Sequence, residues 1–136
     1  LGELFVVRVA GNVLSPEVAG SLQYAGAHLR TPLLVVLGHE GCGAIQAALE
    51  TKDEGVRQHS RIQLLVDSIL PGLAELDPRL PPPARLAQAV ETNVRRTVRA
   101  ILESPEGQAR LAEGRMKAVG AIYENATGRV RFLAEG

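Results

Sequence analysis

Apolar positions along this chain recur with two different spacings, and the segments they mark alternate between strands and helices. Leu4–Val9, L-F-V-V-R-V, is short, β-branched and aromatic, which predicts a mostly buried strand. A turn over Ala10–Val13 follows. Ser15-Pro16 then starts a helix, with serine able to cap free N–H groups and proline preset for the first helical position. Val18, Leu22, Ala25 and Leu29 continue it at helical spacing to about Leu29. The run Leu33–Leu37 is continuously apolar and closed by a glycine, the pattern of a buried strand, and the residues from Ala44 to Glu50 predict a helix.

Ile62, Leu65, Val66, Ile69 and Leu70 mark a further amphipathic helix, ended by Pro71-Gly72. Pro81-Pro82-Pro83 is a stiff spacer, because an amphipathic pattern resumes at once with Leu86, Val90, Val94, Val98 and Ile101. Ser104-Pro105 opens a short helix. Ala118–Tyr123 and Arg129–Leu133 are β-prone runs around E-N-A-T-G, which predicts a hairpin with an antiparallel last strand. The alternation of strands and helices predicts an α/β fold: a mostly parallel sheet flanked by helices, ending in that antiparallel hairpin strand.

Composition narrows the picture. A chain of 136 residues, 46% hydrophobic and 22% charged, fits one globular domain, and no window is long and apolar enough for a membrane span. Fifteen basic and fifteen acidic residues balance, so no strong field argues for a nucleic-acid or membrane partner. Arg85, Arg95, Arg96 and Arg99 cluster on the long helix and are expected to form a solvated face. The single cysteine excludes an internal disulfide framework and suits a reducing compartment. Leu1 is not a methionine and apolar residues begin almost at once, so the chain is expected to start inside a longer protein.

The chemistry concentrates in G-H-E-G-C-G, where His39 and Cys42 stand three apart at a strand-to-helix turn. Zinc takes imidazole and thiolate ligands, and the positive end of a helix favours a thiolate. The ordinary explanation of a lone cysteine after a strand is core packing, and a catalytic zinc needs at least three protein ligands. A nucleophile–base pair of Cys42 and His39 stays open. The glycines lack the Lys-Ser/Thr ending of a P-loop and the spacing of a dinucleotide fingerprint. His28 and His59 are read as surface residues.

Five segments in order carry a family resemblance: G-E-L-F-V-V-R-V-A-G-N at Gly2–Asn12, S-L-Q-Y-A at Ser21–Ala25, L-G-H-E-G-C-G-A at Leu37–Ala44, A-V-E-T-N-V at Ala89–Val94, and V-G-A-I-Y with T-G-R-V within Val119–Val130. Together they resemble the β-class carbonic anhydrases. The resemblance implies a Zn2+ enzyme that reversibly hydrates carbon dioxide to bicarbonate by zinc-bound hydroxide, with His39 and Cys42 as metal ligands. The remaining ligands and a catalytic Asp–Arg dyad would come from a Cys-x-Asp-x-Arg segment upstream of Leu1. That segment belongs in the family to a central strand between those represented by Leu4–Val9 and Leu33–Leu37. The chain is therefore expected to be a single domain over residues 1–136 that lacks the family's N-terminal helical arm and first central strand.

By the same resemblance Phe5, Tyr24, Gly43 and Ala10 line the substrate cleft, although core packing explains Phe5 and Tyr24 equally well. Val9 replaces a common asparagine. Arg8 and Tyr123 match a regulatory bicarbonate site whose third member, a tryptophan, would lie upstream. A cytoplasmic homodimer or higher homo-oligomer is implied. A carbon disulfide or carbonyl sulfide hydrolase using the same site, and a non-catalytic structural or bicarbonate-sensing module, are the competing readings.

Overall fold

A computed structural model describes residues 2–134, so the start at Leu1 lies outside the described residues. Chain order runs α1 (Pro16–His28), β1 (Leu33–His39), α2 (Gly43–Glu54), α3 (Ile62–Ile69), α4 (Pro82–Glu103), α5 (Pro105–Ala112), β2 (Lys117–Tyr123) and β3 (Val130–Phe132), with short 3-10 turns at Ala10–Asn12 and Leu70–Leu73. The sheet order is β1-β2-β3. β1 and β2 are parallel, in register from Leu33 opposite Lys117 to His39 opposite Tyr123. β2 and β3 are antiparallel, as the Asn/Gly-containing loop predicts.

The helices form where capping and periodicity call for them. Ser15 accepts the Val18 N–H at 3.4 Å at the start of α1, and Ser104 accepts the Gly107 N–H at 3.0 Å at the start of α5. α2 runs past the expected Glu50 to Glu54, where Gly55 takes the left-handed C-cap conformation at φ 70°. The helical path also does not stop at Pro71-Gly72. It tightens into the 3-10 turn Leu70–Leu73, because a proline in a first turn forfeits no intrahelical N–H bond, and this carries Leu73 into full burial.

Helix α4 is the centre of the packing. Its Ala89, Val90, Val94 and Ile101 are buried, and Val94 lies directly over the sheet. A Cβ on Gly38 would come within 2.6 Å of Val94 Cγ2, so glycine is what lets the helix approach β1 this closely. Val36 and Ile122 share that face, while α2 and α3 contribute Ile45, Ala48, Val66 and Ile69 to the same core. Inside it, Asn93 Nδ2 donates to the Gly11 carbonyl at 2.8 Å and the Thr97 hydroxyl donates to the Asn12 carbonyl at 3.3 Å, fixing the Ala10–Asn12 turn to α4. Buried amides are stable when bonded in this way.

Two expectations change. Leu4–Val9 is not a buried strand: it forms no strand, and Leu4, Phe5, Val6 and Val9 are all exposed. A strand requires a neighbour to exchange hydrogen bonds with, and among the described residues none lies beside this segment. The arginines of α4 are not uniformly solvated either. Arg85 makes a bidentate pair with Asp53 of α2 at 2.5 and 2.7 Å with only 17% of its side chain exposed. Arg95 pairs with Glu91 at 2.9 Å one turn earlier, and Arg96 donates to the Ser68 carbonyl at 2.9 Å.

Candidate metal centre

β1 ends at His39, Glu40 and Gly41 form the turn, and Cys42 is the residue that caps α2. The Glu40 N–H donates to the Tyr123 carbonyl at 3.0 Å, which extends the β1–β2 ladder one residue into the turn. His39 projects from an exposed position, whereas Cys42 is buried at 5% exposure and packs with the hydrophobic core. The sulfur makes no capping hydrogen bond and no disulfide.

His39 Nδ1 lies 2.8 Å from the Glu40 carbonyl oxygen. A carbonyl only accepts, so Nδ1 carries the proton, and the lone pair of the neutral ring is left on Nε2. Imidazole nitrogen and cysteine sulfur are donors that zinc prefers, and among the described residues neither His39 Nε2 nor the Cys42 thiol has a bonding partner. They supply two donors. No group of three or more His, Cys, Asp or Glu residues suited to a metal converges among the described residues.

The other candidate residues are dispersed around this turn. Gly43 is the first residue of α2, next to Cys42. Tyr123 is the cross-strand partner of His39. Phe5, Arg8 and Ala10 lie exposed on or beside the irregular segment that leads into the Ala10–Asn12 turn. That turn packs against the start of α2: a Cβ on Gly11 would come within 3.2 Å of Ala44 Cβ. Tyr24 stands apart on α1, 54% exposed, with its ring 4.7 Å from that of His28. An apolar hollow of about 420 Å³ lies between α1 and α5, lined by residues such as Leu14, Leu22, Leu34, Ile101 and Met116, and includes neither His39 nor Cys42.

Two polar residues beside the turn escaped the sequence reading, Glu40 and Asn125. Asn125 sits in the β2–β3 turn, where its side-chain amide donates to the Glu40 carbonyl at 2.8 Å and its backbone N–H donates to Glu40 Oε2 at 3.1 Å. The only sequence signal was the asparagine of E-N-A-T-G, which was legible as turn chemistry and nothing more.

The sequence pattern of the carbonic anhydrase family matches residues 1–130. The chain is 37% identical over 133 residues to a carbonic anhydrase of Mycolicibacterium smegmatis, covering 97% of this chain and 64% of the relative. It is 35% identical over 130 residues to carbonic anhydrase 2 of Mycobacterium tuberculosis, covering 95% of this chain and 62% of the relative. Among solved structures, a tetrameric β-carbonic anhydrase of Sordaria macrospora superposes with a TM-score of 0.85 at 24% identity, covering 97% of this chain and 68% of that one. A Coccomyxa β-carbonic anhydrase in complex with acetazolamide gives 0.84 at 28% identity, covering 96% and 61%. The chain belongs to the β-class carbonic anhydrase family, and its fold is the fold of that class. It spans less than two thirds of the length of the mycobacterial relatives.

Proposed function

We propose that the intact protein is a zinc-dependent carbonic anhydrase that interconverts carbon dioxide and bicarbonate. The observation that carries this reading is the turn after β1, where His39 keeps Nε2 free and Cys42 is held at the head of α2 with its sulfur uncommitted. His39 and Cys42 would hold the metal. Bound zinc lets water act as hydroxide near neutral pH.

The chain's own residues supply what surrounds that chemistry. Cys42 stands at the N-cap of α2, which fixes where its side chain leaves the backbone. Burial of the cysteine keeps water from competing for one side of the site. Phe5, Tyr24, Gly43 and Ala10, dispersed within one chain, would line an apolar path for carbon dioxide where two subunits meet, and Arg8 with Tyr123 would form a second, regulatory bicarbonate site. The third ligand and the Asp–Arg dyad would be contributed by a Cys-x-Asp-x-Arg segment of the intact protein, in a strand against the free edge of β1. The tetrameric Sordaria relatives support a homo-oligomer, and Cys42 as a free thiol suits the reducing cytoplasm. No described helix is long and apolar enough to cross a membrane.

The deciding experiment measures zinc stoichiometry and stopped-flow hydration of carbon dioxide on the intact protein and on Cys42→Ser. Near one zinc per chain, with zinc and at least about a hundredfold of activity lost in the variant, is the expected result. A Cys42→Ser protein that keeps its zinc and its rate overturns the reading. A folded, metal-free wild-type protein would point instead to a non-catalytic module, and faster turnover of carbonyl sulfide or carbon disulfide to a hydrolase.

A further inference from the structure

The Glu40 carbonyl receives two donors at the same distance, His39 Nδ1–H and the Asn125 side-chain amide, each at 2.8 Å. A carbonyl oxygen has two lone pairs, so the two bonds are compatible and together fix the direction of the C=O. The peptide plane involved joins Glu40 to Gly41, and Gly41 adopts φ 63°. A glycine on that side puts little resistance in the way of a peptide flip. Without a second donor, the direction of this carbonyl would depend on the histidine it is meant to orient.

Asn125 is itself anchored independently of the metal site. In its turn the Glu124 N–H donates to the Arg129 carbonyl at 2.9 Å and the Gly128 N–H to the Glu124 carbonyl at 2.8 Å. Thr127 adds two bonds, its hydroxyl donating to Glu124 Oε2 at 2.9 Å and accepting the Arg129 N–H at 3.1 Å. The Asn125 N–H to Glu40 Oε2 bond ties the turn to the loop a second time. The hairpin tip is thus a rigid support that reaches across 85 residues of sequence to the peptide next to His39.

We propose that Asn125 is a positioning residue for the candidate metal centre: by fixing the Glu40 carbonyl it holds the His39 ring in the Nδ1–H tautomer and leaves Nε2 as the nitrogen that would bind a metal. This inference rests on the zinc reading of His39 above. Outer partners of this kind typically change metal affinity by about ten- to a hundredfold.

The test uses the intact protein and two readouts. Long-range 1H–15N NMR of the metal-free protein reports the His39 tautomer, and competition with a chelator reports zinc affinity. Wild type is expected to show Nδ1–H. Asn125→Ala should give a tautomer mixture and about tenfold weaker zinc binding. Asn125→Asp, equal in size but without the donor, should do the same and decides the matter if the alanine variant folds poorly. Glu40→Ala keeps the carbonyl and should retain the tautomer, which separates the carbonyl clamp from the carboxylate contact. Unchanged tautomer and unchanged affinity in both Asn125 variants would overturn the proposal while leaving the zinc reading intact. Zinc affinity indifferent to His39→Ala would overturn both.

Discussion

Val35 and Val36 are the same side chain, one residue apart on one strand, yet Val35 is 41% exposed and Val36 only 6%. The difference extends along β1. Leu34, Val36 and Gly38 face α4, while Leu33, Val35 and Leu37 are exposed on the opposite face. Successive strand residues point to opposite sides, so one short apolar run serves two surfaces that obey different rules. On the covered face even a methyl group is excluded at Gly38. On the open face side chains of similar polarity stay 41% to 52% exposed. An all-apolar strand is the pattern of a sheet covered on both sides, and the described residues cover one.

The contrast is sharpest at Gly38→Val. The new side chain would drive into Val94, and a loss of about 3 kcal/mol in urea unfolding is expected. Leu37→Asn, one residue away on the open face, should move the midpoint far less, and equal effects would break the comparison. Next comes Asn93→Ala, which strands the buried Gly11 carbonyl and frees the Ala10–Asn12 turn from α4. About 2 kcal/mol is expected, together with faster amide exchange around Gly11.

Val36→Ala should cost about 1.5 kcal/mol, from lost burial and the cavity left under α4. Val35→Ala completes the pair and should cost about 0.5 kcal/mol or less. A cost for Val35→Ala matching that of Val36→Ala would show that the open face is covered in solution. That outcome would turn the two faces into equals.

The same contrast explains what was readable. Spacing located all of the major helices, because Val90, Val94, Val98 and Ile101 repeat at a period that any single stretch of chain displays. The hairpin was legible for the same local reason. Leu4–Val9 was misread because its composition is that of a strand, while strand formation depends on a neighbour that composition cannot supply. Arg85 was misread as solvated because its partner Asp53 lies 32 residues away on another helix.

At the candidate metal centre the proposed donors were legible locally, since His39 and Cys42, their spacing, and their position between a strand and a helix are all features of one short stretch. Tertiary structure decided which nitrogen of His39 is free, which face of β1 is covered, and what holds the Glu40 carbonyl. Those outcomes depend on contacts such as Asn125 with Glu40 and Asn93 with Gly11, separated by 85 and 82 residues. Periodicity records what a residue's near neighbours require, and contacts between distant residues are set only when the chain packs α4 against the sheet and brings the hairpin tip beside the turn.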